Sequence, residues 1–435
     1  MDAVVYAFAL AALAWVLVAG REITERHPVW RWYLTGYPSM AIRVVTTWRK
    51  VCQVNDLTVS YQPARRVLGD LVVRGEALRG VAPRLGLPRP VPGGVRVRVR
   101  LRPGQTPAPF LQAADALAHA WRAHAVRVDS PERGVVTLTA SASDPLAAPH
   151  EASGQPAVLL SVVLGLLETG GVWRVDFRRV PHWLIVGATR SGKSTLLARL
   201  VAQLAPQRVA LVGIDCKGGM ELALFADRLT VLATTRRQAV EVLGELVNEI
   251  QRRMYLCRAA GARSIWDLED EARPVPVVVL VDELAELYLT NGSREERAEA
   301  EQCSTYLLRL AQLGAALGVY LVIAGQRVGS DLGPGVTALR AQLGGRVCHR
   351  VNDPGTAEMA LGDLHKDAVA VAQSIRTDEQ GVAVTVADSG GWVRGRTYLT
   401  TPDDARKATL EHADRTPRLP LLALAKERGD RGEER

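Results

Sequence analysis

Gly187-Ala188-Thr189-Arg190-Ser191-Gly192-Lys193-Ser194 follows the apolar run Trp183-Leu184-Ile185-Val186 and leads directly into Thr195-Leu196-Leu197-Ala198-Arg199-Leu200. The pattern is a buried strand, a glycine-bounded turn and the start of an amphipathic helix. The free N–H groups and the positive dipole end of such a helix hold phosphates. Gly187 through Thr195 therefore read as a P-loop for a nucleoside triphosphate, ATP in the first instance. In it Lys193 reaches the β- and γ-phosphates and the Ser194 hydroxyl ligates Mg2+. A short pattern can arise by chance, but here the strand before and the helix after supply the context a true site requires.

A P-loop needs a second acidic strand end for its metal, and Val277-Val278-Val279-Leu280-Val281-Asp282-Glu283 provides one. This is a Walker B pattern: Asp282 is expected to hold Mg2+ through its shell and Glu283 to polarise the attacking water. The competing reading of the pair is a helix N-terminal cap. Gln326, just past Ile323-Ala324, stands where a polar side chain could sense the γ-phosphate.

Outward from this centre, apolar runs at 209–215, 277–282, 319–324, 346–351, 382–386 and 392–399 alternate with helical stretches. Continuous apolar strands separated by helices predict a mostly parallel sheet covered on both faces, an α/β RecA-like P-loop core. The helix from 236 to 258 opens with a capping box, Thr235 with Gln238. Ala157 to Leu167, too short to span a membrane, reads as a hairpin strand turning at 168–171. After Thr401 the chain reads as a charge-balanced tail with little core material.

Upstream, Val95-Arg96-Val97-Arg98-Val99-Arg100-Leu101-Arg102 alternates with period two, one face for a core and one a row of guanidinium groups. That row calls for acidic neighbours, lipid head groups or nucleic-acid phosphates, or is simply solvated. A helix through Phe110–Trp121 and a strand at 135–140 complete a small α/β domain, and Pro88, Pro90, Pro92, Gly93 and Gly94 mark a boundary near 92.

Ala3 to Gly20 is uncharged and apolar, at the short end of a membrane span. No basic residue precedes it, whereas Arg21, Arg26, Arg31 and Arg43 follow. An uncleaved anchor with the bulk of the chain in the cytoplasm is expected, a cleaved signal being the alternative. Trp30, Trp32, Tyr33 and Tyr37 suit either the membrane interface or a buried aromatic cluster. The expected organisation is thus an anchor (1–20), a juxtamembrane segment and linker (21–91), a small α/β domain (92–150), the motor (151–402) and a charged tail (403–435).

The chain has 435 residues, 54 Lys+Arg against 46 Asp+Glu, and a net charge of +8, a balance that favours polyanionic partners. Cys52, Cys216, Cys257, Cys303 and Cys348 lie far apart, which argues against a zinc ribbon or a disulfide framework.

Four words in the sequence, PHWLIVGATRSGKST (181–195), LVGIDCKGGMEL (211–222), VVVLVDELAEL (277–287) and LAQLGAALGVYLVIAGQR (310–327), resemble the FtsK/SpoIIIE family of DNA translocases. The resemblance covers about 160 to 400, and Asp215-Cys216-Lys217-Gly218 is specific to that family rather than to P-loop proteins at large. It implies a homo-hexameric ring on double-stranded DNA, gripped by loops carrying Arg327 and Arg340. It also implies an arginine acting in trans on the neighbouring site, Arg346 or Arg350 by position. Arg190 departs from the small Gly usual in relatives. One span and a short tail resemble the compact single-motor members that serve conjugative plasmids and integrative elements of Gram-positive bacteria. The implied function is a membrane-anchored, ATP-driven pump for double-stranded DNA, working with other transfer proteins; a motor for protein secretion is the alternative.

Overall fold

The structure, a computed structural model, describes residues 32–61, 79–91, 93–150, 158–362, 364, 366–387 and 390–420. The chain separates into two compact units, 1–145 and 146–435.

In the first unit a π-helical turn, Trp32–Gly36, leads into helix α1 (Tyr37–Val54). Met40, Val44, Trp48, Val51 and Cys52 recur every three or four residues along α1 and are buried, the stripe that docks an amphipathic helix. Short strands follow: β1 (Val59–Tyr61), β2 (Arg79–Val81), β3 (Arg84–Leu85) and β4 (Arg89–Val91). Then come β5 (Gly94–Arg100), helices α2 (Ala108–Gln112) and α3 (Ala114–Trp121), and strands β6 (Ala125–Glu132) and β7 (Val135–Ser141). The alternation read in β5 is present, with its valines in the core and Arg96, Arg98 and Arg100 outside.

The boundary expected near 92 is not where the chain divides. α1 shares one core with Val95, Val97, Val99, Leu117, Trp121 and Leu138, and β3 and β4 both pair with β5. Pro90, one of the prolines that read as a connector, sits in β4 at the edge of the sheet, where a missing N–H is tolerated. Trp32 donates from Nε1 to the Val91 carbonyl at 3.1 Å and the Tyr37 hydroxyl to that of Pro88 at 2.8 Å, so these two aromatics face protein. Trp30 and the apolar stretch 3–20 lie outside the described residues, among which no helix is long and apolar enough to cross a membrane.

The described strands of the second unit form a ten-stranded sheet. In chain order they are β8 (Ser161–Leu167), β9 (Val172–Asp176), β10 (His182–Val186), β11 (Ala210–Ile214), β12 (Val231–Ala233), β13 (Val277–Val281), β14 (Val319–Gly325), β15 (Gly345–His349), β16 (Val382–Val386) and β17 (Trp392–Thr397). Their order in the sheet is β12-β11-β13-β14-β10-β15-β16-β17-β8-β9. The strands from β12 to β15 are parallel, and the remainder pair antiparallel. The sheet is therefore mixed, because hairpin turns such as Glu168–Gly171 can join only antiparallel neighbours.

Both faces are covered. Alternate residues of β10, Leu184 and Val186 against Trp183 and Ile185, enter different cores. Helix α4 (Lys193–Leu204) covers one face; α5 (Arg236–Ala259) covers the other, followed by α6 (Leu284–Tyr288) and α7 (Arg294–Leu313). The Thr235/Gln238 capping box is formed. α8 (Val336–Gln342), α9 (Pro354–Leu361) and α10 (Lys366–Ser374) complete that layer.

The tail differs from expectation: Pro402–Glu411 is helix α11, opened by a Thr401/Asp404 capping box, with Ala405 and Thr409 fully buried. Ala405 joins the core of α4. Alanine carries too little apolar weight to show such docking in a hydropathy pattern. Residues 421–435 lie outside the described residues.

Candidate functional site

β10 lies between β14 and β15, so the turn that leaves it is flanked by two other strand ends, the place where open α/β sheets bind ligands. Backbone bonds fix it there: Gly187 donates to the Gly325 carbonyl (3.3 Å), Ala188 to that of Arg350 (2.9 Å), and Gly381 donates to Ser191 (2.9 Å). Gly192 has φ 114°, and a Cβ on it would sit 2.6 Å from Gly381. Arg190 has φ 61°, the left-handed region that favours glycine, so this side chain is held at a strain of about 1 kcal/mol. The first-turn N–H groups of α4 have no intrahelical acceptors and face this turn.

β13 ends alongside, and its register against β11 and β14 brings Asp282 and Glu283 to the same rim. Lys193, buried, donates to the Asp282 carbonyl at 3.1 Å and to Glu283 Oε2 at 3.4 Å, with Asp282 Oδ1 at 4.0 Å. Glu283 Oε1 accepts the Gln326 N–H at 3.0 Å. The Gln326 side chain is exposed and reaches Thr189 Oγ1 at 3.5 Å. The structure thus brings together Thr189, Lys193, Asp282, Glu283 and Gln326, all read from sequence.

The site fits a cation. Asp282 Oδ1 is buried and accepts no hydrogen bond. Burial pushes the Asp282 carboxyl up to about 6; Lys193 opposes the rise and Asp215 adds to it. A buried carboxylate oxygen without a donor is what an oxygen-seeking Mg2+ would satisfy, with the Ser194 hydroxyl at the start of α4 as its companion.

Arg346 does not occupy the place the sequence suggested. It is buried, and its guanidinium donates to the carbonyls of Leu343 and, at 2.9 Å, Arg340 of its own chain. Freeing it for a neighbouring subunit would strand both acceptors. Arg350 instead reaches its own P-loop, with Nη2 3.2 Å from the Thr189 carbonyl. Arg340 Nη1 holds the Val328 carbonyl at 3.0 Å, and Arg327, exposed, pairs with Asp331 at 2.9 Å.

Two contributions were not read from sequence. Lys217 Nζ lies 3.4 Å from Glu283 Oε2, the oxygen that Lys193 also holds. Its place is set by Asp215, buried, which accepts the N–H groups of Lys217 (3.2 Å), Glu221 (2.8 Å) and Leu222 (3.0 Å) and so closes the loop through Gly218 and Gly219, both with positive φ. The word Asp215-Cys216-Lys217-Gly218 was the signal, but its role needed the fold. His349, fully buried beneath the P-loop, bonds through Nδ1 to the Val382 carbonyl at 3.1 Å, and burial lowers its pKa to about 4.

Residues 20–142 match the N-terminal domain of actinomycete conjugal transfer proteins, and residues 157–330 match the FtsK/SpoIIIE family. The transfer protein TraSA of Streptomyces ambofaciens is 42% identical over 396 residues, covering 88% of this chain and 94% of that protein. A DNA translocase FtsK of Campylobacter jejuni is 31% identical over 223 residues, 48% of this chain and 22% of that protein. Among solved structures, the conjugation coupling protein TcpA of pCW3, in its monomer form with ATPγS, is similar in fold with a TM-score of 0.54. It is 21% identical, and the match covers 84% of this chain and 98% of that one.

Proposed function

This chain belongs to the FtsK/SpoIIIE family, in its actinomycete conjugal-transfer branch, and on that premise we propose that it hydrolyses ATP to move double-stranded DNA during conjugative transfer. The observation that carries the reading is the Glu283 carboxylate. It is fixed by the Gln326 N–H on one oxygen and by Lys193 and Lys217 on the other, at the rim of a P-loop.

When nucleotide binds, the Lys193 ammonium turns from the carboxylates to the β- and γ-phosphates. Glu283, still held by Gln326 and Lys217, then accepts a proton from water as its oxygen attacks the γ-phosphorus and the bond to the β-bridging oxygen breaks, releasing ADP. Mg2+, when held by Ser194 and Asp282, supplies charge neutralisation on the phosphates. In this reading Gln326, bonded to Thr189, senses the departure of the γ-phosphate, and Arg350 supplies a second cation to the P-loop in cis.

The proposal extends to a homo-hexameric ring, to other transfer proteins as partners, and to anchoring of the cytoplasmic bulk by the stretch 3–20. Release of the full chain from membranes by alkali would remove the anchor from the proposal. A mass in detergent, with duplex DNA and an ATP analogue, other than six chains would remove the ring. For the motor itself, ATP turnover of the full chain should rise with duplex DNA and not with RNA or an unfolded polypeptide. Stimulation by the polypeptide alone would instead favour protein secretion.

A further inference from the structure

The outer face of β5 carries Arg96, Arg98 and Arg100, and the strands around it add three more guanidinium groups. Arg84 of β3 lies directly opposite Arg100, and Arg89 of β4 directly opposite Arg96. Arg127 of β6 shares Thr139 of β7 as a cross-strand neighbour with Arg96. Among the described residues, Glu132 pairs with Arg98 at 2.9 Å and Asp129 with Arg127 at 3.1 Å. Among the described residues, Arg84, Arg89, Arg96 and Arg100 have no acidic partner, and all four are exposed.

Like charges directly opposite each other destabilise an antiparallel pair, and this small sheet keeps two such pairs side by side. Folding gives no reason for them; an anionic ligand does. The guanidinium groups repeat about every 6.7 Å along β5 and about every 4.8 Å across the strands, so they form a rigid array of bidentate phosphate donors. On β7 the same face carries Val135, Thr137 and Thr139. Strands β3 to β7 carry no aromatic ring to stack on unpaired bases, as single-strand binding requires, and Leu87, exposed between β3 and β4, is a single apolar chain where a lipid layer calls for a patch.

We propose that this face binds the phosphate backbone of double-stranded DNA without reading its sequence, the cargo named above, on whose assignment this inference rests. Because the contacts are to phosphate, they set grip and position rather than specificity.

The test is the full chain in detergent with Arg84, Arg89, Arg96 and Arg100 all replaced by Gln, titrated with a random-sequence duplex across a salt series. The slope of log affinity on log salt should flatten by about 3.6, four contacts at 0.9 each, so the loss of affinity between 50 and 200 mM salt shrinks about 150-fold. Basal ATP turnover should hold, and the thermal midpoint should stay level or rise as the like-charge pairs disappear. Should the quadruple variant fold poorly, Arg84→Gln with Arg100→Gln reads half the change. An unchanged slope overturns the inference. So does lost binding to vesicles of phosphatidylglycerol with an unchanged duplex slope, which would give the face to the membrane. Failure of the unaltered chain to bind duplex would instead strike the proposed function itself.

Discussion

At the scale of single residues, the Glu283 carboxylate is shared by two lysines with different duties. On the proposed reaction Lys193 leaves it for the phosphates, while Lys217, whose backbone is anchored by Asp215, stays with the carboxylate. Lys217 is therefore a positioning residue. Lys217→Met should lower kcat about 10- to 100-fold with KM for ATP nearly unchanged, the effect of loosening a catalytic group by a fraction of an ångström. Lys193→Ala should weaken nucleotide binding outright, and Glu283→Gln should bind and not turn over. A Lys217→Met enzyme whose KM rises while kcat holds would make Lys217 a phosphate ligand instead.

Among the elements, α5 shows what a linear pattern conceals. Arg253 is fully buried on its inner face, bonded to Glu249 Oε1 at 2.7 Å and to the carbonyls of Leu317 and Val275, each at 2.8 Å. Burial pushes the Glu249 carboxyl up, but the bonds from Arg252 and Arg253 outweigh it and leave it below its ordinary value. Arg253→Met leaves Glu249 to Arg252 alone and strands the carbonyls of Leu317 and Val275, and should destabilise the protein by about 2–4 kcal/mol in urea unfolding. Arg253→Met with Glu249→Met should recover part of the loss, and a double variant no better than the single would refute the charge argument.

An arginine within a helix reads as surface in the sequence, since the carbonyls that hold Arg253 buried, those of Val275 and Leu317, lie 22 and 64 residues away. The same limit hid α11 and the antiparallel pairings of β16 with β15 and of β17 with β8, whereas the hairpin at 168–171 was legible from its turn. What was legible is what short spacing fixes: the P-loop, the Asp282-Glu283 strand end, the α5 cap and the β5 alternation. The burial of Arg346 was not, because it is distinguished only by which carbonyls surround it.

For the whole molecule, the titration of buried groups sets how stability depends on pH. His182 in β10, its Nδ1 accepting the Leu321 N–H at 3.1 Å, and His349 beneath the P-loop are both lowered by burial to about 4, from 6.5 in an unfolded chain. Both are neutral in either state above pH 6.5. Below it the unfolded chain gains protons the folded one refuses, so stability falls from pH 6.5 toward 4, by about 2 kcal/mol per histidine at pH 5. Asp282 acts in the opposite direction in metal-free protein. Its folded value near 6 lies above the ordinary 3.8, so the folded state takes up a proton first and gains about 1.4 kcal/mol by pH 5. The histidines win, with a net loss of about 2–3 kcal/mol between pH 7 and 5. Urea midpoints of nucleotide-free protein in chelator should therefore drop over that range, and more steeply in Asp282→Asn, which lacks the opposing proton. Midpoints that stay level or climb toward pH 5 would mean that the two imidazoles are protonated in the fold, and that the sheet beneath the P-loop is wetter than its packing indicates.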